Sequence, residues 1–201
     1  YVFESQNSKV QAIKGEIESQ LTRSLINARS LLISLDASGK ASPAAESLYL
    51  EDPRSLSLEL WDESSRQSLY HLEKNQTPRL PPPSGMAQVK TGNLDLQFLD
   101  PQRVLIQLRP DATRPLILAR ILLDGNHLLP GVESQTPYLL LHRGQVVAQS
   151  DGGLLPTRLL NELVQEANTK TGTQMLVFEK QKFLVSVAPL TLGDLRLVAW
   201  T

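Results

Sequence analysis

A single apolar stripe over the first thirty-five residues constrains the fold more than any other feature. Val10, Ile13, Ile17, Leu21, Leu25, Ala28, Leu32 and Leu35 recur every three or four positions, the spacing that gathers side chains on one side of an α-helix. Lys9, Lys14, Glu16, Glu18, Gln20, Arg23 and Asn27 fill the other side, and Gly15 is the weak point of the run. At 1.5 Å per residue the helix reaches about 50 Å, against a mean of roughly a dozen residues in globular proteins. A helix this long outruns a small sheet, so its stripe has two readings, core packing against the sheet and a dimer seam, and the two are compatible on different stretches. Asp36, Ser38, Gly39 and Pro43 give the stop signal.

After the helix the period changes from 3.6 to 2. Leu56, Leu58 and Leu60 alternate with Ser57 and Glu59, "DESSRQ" turns the chain, and Ser68 to Leu72 returns. A second unit runs from Leu94 through the Asp100-Pro101 turn to Arg109 and shares the order Leu-x-Leu, Asp, Arg, apolar return. Two readings stand: a duplicated hairpin, or two ordinary amphipathic hairpins. Between the units, Pro78 and Pro81 to Pro83 stiffen an extended connector. It marks the expected internal boundary, with a helix over 1–40, a hairpin lobe and connector over 41–85, and a sheet with one helix over 86–201.

Further strands are expected near 115–123, 137–142, 145–149, 174–179, 183–189 and 194–200. A helix is expected from Pro156, with Leu159, Leu160, Leu163, Val164 and Ala167 on its apolar side. Short connections force antiparallel neighbours. The fold class is therefore α+β: a long N-terminal helix packed on an antiparallel sheet.

Composition removes several functions. The charges nearly cancel, 20 basic against 21 acidic, so the concentrated basic stripe of a nucleic-acid binder is missing. There is no cysteine, which excludes disulfides, thiolate nucleophiles and cysteine zinc sites. No apolar run reaches the roughly 18 residues a membrane span needs. Phosphate-loop, dinucleotide, HExxH, GxSxG and EF-hand signatures are absent. His71, His127 and His142 show no ligand spacing. The pairs Glu51-Asp52 and Asp62-Glu63 read as solvated turn residues. No metal, cofactor or enzymatic activity is expected. A hydrolase using unmotifed carboxylates is the remaining catalytic class, to be revived by turnover that is lost on replacing Asp62 or Asp151. The "SDGG" at 150–153 reads as a turn rather than a phosphate cradle, since it holds no Lys or Arg. Arg143-Gly144 reads as a hairpin turn.

The stretch "YLLLHRGQVVAQSDGG" (138–153), followed by a helix and then "QMLVFEKQKFLVSVAPLTLGDLRLVAW" (174–200), resembles the extracytoplasmic Cache (PAS-like) sensor domains of bacterial receptors. The likeness is carried by residues 138–200; the remainder matches in element order. In that family the long helix emerges from one membrane span and the last strand leads into the next, and the abrupt ends of this sequence fit a segment lying between two spans. The resemblance implies a periplasmic ligand-binding domain of a membrane-anchored receptor whose output is a histidine kinase, cyclase, phosphatase or chemoreceptor. It implies no particular ligand, because the aromatic and arginine set of amino-acid binders is not recognisable. The expected partners are a small molecule or periplasmic protein, and a second copy through the N-terminal helix. Candidate ligand-binding groups are Tyr138, His142, Arg143, Asp151 and Phe178 on or beside the later strands. Arg120 joins them because a charge within "LILARILL" needs a partner. The alternative is an interaction domain without a small ligand: a cleft with convergent polar groups favours the sensor, a filled sheet face the interaction domain.

Overall fold

A computed structural model describes residues 1–129, 136–150 and 155–201. Helix α1 (Val2–Ile33) runs for 32 residues. Gln6, Val10, Ile13, Ile17, Leu21, Ser24, Leu25, Ala28 and Leu31 are buried along it. The stripe therefore ends on Leu31; Leu32 and Leu35, placed on it from the sequence, are only half-buried. The helix stops where the Ser34 hydroxyl donates back to Leu31 O and where Asp36 Oδ1 accepts from Ser38 N–H, Ser38 Oγ and Lys40 N–H. A second helix, α2 (Pro43–Glu51), follows and was absent from the sequence reading. Ser42 caps it by accepting from Ala45 N–H, and Pro43 sits at its first turn, where its fixed φ suits helix initiation.

The chain divides into two compact units, residues 21–128 and residues 1–20 with 129–201. In the first, β1 (Ser55–Asp62), β2 (Gln67–Glu73), β3 (Leu94–Asp100), β4 (Arg103–Leu108) and β5 (Ile117–Asp124) form one antiparallel sheet in the order β2-β1-β5-β4-β3. The boundary expected near residue 85 is thus corrected. Strand β5 inserts between the two hairpins and pairs with both β1 and β4, which makes them one sheet across the proline connector. The turns are as expected. Asp62 Oδ1 accepts from Ser64 N–H, and Asp100 accepts from Gln102 N–H and Arg103 Nε. The short α3 (Gly125–Leu128) closes the unit.

The second unit holds β6 (Tyr138–His142), β7 (Gln145–Gln149), α4 (Thr157–Thr169), β8 (Gly172–Phe178), β9 (Gln181–Pro189) and β10 (Leu195–Trp200). Its sheet order, β7-β6-β10-β9-β8, repeats that of the first, so two sheets are present where the sequence favoured one. Arg143 and Gly144 both take positive φ at the β6–β7 turn, the geometry of a tight hairpin. Helix α4 lays Leu159, Leu163 and Ala167 among Leu139, Leu141, Phe178, Val185, Val187, Val198 and Trp200. Within this unit the N-terminal turns of α1 bury Val10, Ile13 and Ile17, and Glu18 Oε1 accepts from both N–H and Oγ1 of Thr191.

Candidate functional site

Strand pleating separates the sheet of residues 21–128 into two chemically different faces. One face carries the cross-strand row Leu72, Leu58, Ile121, Ile106 and Leu96. The row one residue along points the other way and reads His71, Glu59, Arg120, Gln107 and Asp95, one polar side chain from each of the five strands. Arg120 and Glu59 at its centre are only 4% and 5% exposed, and Arg120 Nη1 donates to Glu59 Oε2 at 2.7 Å. Burial of a charge is tolerated only with such a partner. The flanks pair locally: Gln97 Nε2 donates to Asp95 Oδ2 at 2.6 Å, and His71 Nε2 lies 2.7 Å from Glu73 Oε2. Two buried nitrogens on this row have no partner, Arg120 Nε and His71 Nδ1. Uncompensated buried polar atoms are costly, and a bound group would satisfy them: Arg120 Nε–H is a donor, whereas the role of His71 Nδ1 follows the ring's tautomer.

The connector between β2 and β3 crosses this polar face. Arg120 Nη2 donates to Pro81 O at 2.7 Å. Arg109, just past β4, donates to Val89 O, Ala87 O and Glu63 Oε2 at 2.7, 2.8 and 2.8 Å. Glu63 Oε1 in turn accepts from Ala87 N–H at 2.6 Å. The solvated-turn reading therefore holds for exposed Glu51 but fails for Glu63, whose side chain is 2% exposed and ion-paired. It fails equally for Asp52, buried against Arg54 and Asn27. The equivalent connection in the other unit delivers α4 onto a mainly apolar face, with Arg196 and Gln174 at its margins donating to Ala167 O and Glu166 Oε2 of the helix.

A surface cavity of about 550 Å³ lies at the end of α1, lined by Leu35, Asp36, Leu60, Tyr70, Asp111 and Arg114 among others. Its polar groups are committed to the fold. Tyr70 Oη donates to Glu46 Oε1 at 2.9 Å, and burial together with that carboxylate holds the phenol well above its usual range. Asp36 and Asp111 each bind the hydroxyl two residues on, which lowers both carboxyls.

The six residues singled out from the sequence divide between the units. Arg120 sits at the centre of the polar row. Phe178 lies in the apolar cluster under α4, and Tyr138 is buried at the start of β6. His142 is half-buried at the end of that strand. Arg143 is exposed at the hairpin tip, 3.7 Å from Asp194. Asp151 and the "DGG" turn lie outside the described residues. Sequence reasoning missed Glu59, His71, Gln107 and Asp95. The available signal was an ionisable or amide residue at an alternating position in each of five strands, meaningful only once the strands are aligned.

No family model matches the chain, and no curated protein matches its sequence. Solved structures do. The ligand-binding domain of the Pseudomonas aeruginosa amino acid chemoreceptor PctC, in complex with GABA, is 15% identical, covers all of this chain and 98% of its own, and superposes with a TM-score of 0.58. The same bacterium's PctB domain with L-arginine gives 10% identity, coverage of 100% and 94%, and a TM-score of 0.60. The domain of the Pseudomonas fluorescens chemoreceptor CtaA with L-alanine gives 12%, coverage of 100% and 97%, and 0.62. The chain has the fold of these sensor domains. The match runs from end to end, so both five-stranded sheets and the long helix belong to the shared architecture, beyond the residues 138–200 that carried the sequence resemblance. Among the described residues no helix is long and apolar enough to cross a membrane.

Proposed function

We propose that this chain is the extracytoplasmic ligand-binding domain of a bacterial membrane receptor, and that its small-molecule ligand binds on the polar face of the sheet in residues 21–128. One observation carries the placement. A row of polar side chains, buried at its centre, crosses the whole sheet and retains unsatisfied nitrogen atoms on Arg120 and His71. A guanidinium offers five donors in a planar fork. Arg120 spends one on Glu59 and one on a neutral carbonyl, so a ligand carboxylate is the group that fits its remaining edge. The three compared receptors are named with GABA, L-arginine and L-alanine, each of which carries a carboxylate. Of the sequence candidates, Arg120 is taken into this site. Tyr138 and Phe178 are read as core.

Ligand capture shifts a population between two arrangements. Helix α1 carries that shift, since its residues 21–33 belong to the unit that holds the site and its first twenty to the other. Membrane anchoring at the ends of the domain and pairing of two copies through α1 complete the reading.

A thermal-shift screen with the twenty amino acids, GABA and short dicarboxylic acids tests it. A ligand at a hundred times its Kd adds about 2.7 kcal/mol, and the Gln107→Ala variant should lose that shift while the free protein melts within a few degrees of wild type. The competing reading, an interaction domain without a small ligand, is favoured by one feature: the polar face is already covered by the chain's own connector. A panel that moves no melting transition decides for it.

A further inference from the structure

The connector is held to the polar face in an unusual way. Four of its backbone groups, Pro81 O, Ala87 N–H, Ala87 O and Val89 O, are bound by three side chains, Arg120, Arg109 and Glu63. Its ends fold on themselves through Thr77 N–H to Lys74 O and Asn93 N–H to Lys90 O. Apolar anchoring is slight. Val89 is buried, Leu80 and Pro83 are half-buried, and Pro81, Pro82, Ser84, Gly85, Met86 and Gln88 are exposed.

The ion pairs beneath it are complete without it. Arg120 keeps Glu59 and Arg109 keeps Glu63, both at hydrogen-bonding distance. The connector contributes only backbone amide groups to these clasps. Lifting it therefore strands no buried charge, which would be the prohibitive cost. Water or a ligand can take over the vacated donors. The prolines favour the closed state for a separate reason, because a chain already confined to extended geometry loses little entropy when it is laid down.

We infer that residues 77–93 form a releasable strap, which occupies the polar face in place of ligand and lifts as a local unit while the sheet stays folded. This regulates the site proposed above and rests on that reading. Ligand entry and strap release are coupled: an incoming carboxylate replaces the Pro81 carbonyl on Arg120 and engages the Nε that the strap leaves unpartnered.

Trypsin cleavage of the wild-type protein at the exposed Arg79, measured across sub-denaturing urea, reads the opening directly, because local opening exposes little surface and global unfolding exposes much. The strap predicts a cleavage rate nearly independent of urea. It also predicts cleavage on the order of tenfold faster when Pro81, Pro82 and Pro83 are all replaced by Gly, with the global urea midpoint little changed. A cleavage rate that climbs with the slope of global unfolding overturns the strap. So does a glycine variant that is cut faster only in proportion to its lost global stability. No ligand enters this experiment, so an empty ligand screen does not affect it. Conversely, a binding ligand with a connector that opens only globally would retain the receptor reading and overturn the strap.

Discussion

Arg120 shows how much one residue can commit a fold to. Its neighbours in β5, Ala119 and Ile121, are fully buried on the opposite face, and its own charge is acceptable only because Glu59 stands directly across the strand pair. Arg120→Met should therefore destabilise by about 3–5 kcal/mol, since Glu59 is left buried and unpaired. The double replacement Glu59→Leu with Arg120→Met should cost clearly less; urea melts of the three proteins check the difference, and equal losses would show that the pair is not coupled. Asp52 and Asp62 are among the carboxyls that folding lowers. Burial raises Asp52, but hydrogen bonds from Arg54 and Asn27 outweigh it, so the carboxyl is lowered overall. The Ser64 and Ser65 hydroxyls and the Ser64 N–H bring Asp62 from 3.8 to about 2. A carboxylate lowered by folding binds its proton more weakly in the native state, so its contribution is present above the unfolded value and is lost as pH falls through the folded one. Melting temperature should thus hold down to about pH 4 and decline toward pH 2. In Asp52→Asn the decline should be shallower, from a lower plateau.

At the scale of elements, the two sheets share one strand order and differ in what their connections bring. Between β7 and β8 the chain supplies an amphipathic helix, and the face beneath it is mainly apolar. Between β2 and β3 it supplies prolines, and the face beneath is polar. The pairing is physically consistent: a helix offers side chains to an apolar surface, whereas an extended proline segment offers bare carbonyls to arginines. Helix α2 was missed in the sequence because its nine residues bury only Tyr49, too little to make a periodic signal. Its legible mark was the cap. Ser42→Ala should cost about 1 kcal/mol, read as a lower urea midpoint with an unchanged slope; a neutral result would mean the helix is held by its tertiary bonds, Tyr49 Oη on Ser57 O and Tyr70 Oη on Glu46 Oε1, without the cap.

For the molecule as a whole, the question is which sheet binds. If the ligand sits on the polar row, hydrogen exchange with a bound amino acid or carboxylic acid should slow the amides of β1 and β5 and leave those of β6 and β10 unchanged. Protection concentrated around Tyr138 and Phe178 would move the site to the later strands. The sequence alone determined most of the elements, because hydrophobic period, turn residues and helix stops are local properties: the long helix, α4 and the ten strands of the described residues were legible within a few residues, whereas α2 and α3 were not. It determined the character of the termini of those elements too, down to Asp62 and Asp100 at their turns. Only the tertiary structure decided that β5 joins two hairpins into one sheet, that Glu63 and Asp52 have buried carboxylates paired with Arg109 and Arg54, and that five polar residues spread between Glu59 and Arg120 form one row. Register is set by which face of each strand must be buried against elements far away in the chain. Nothing within a single strand encodes that.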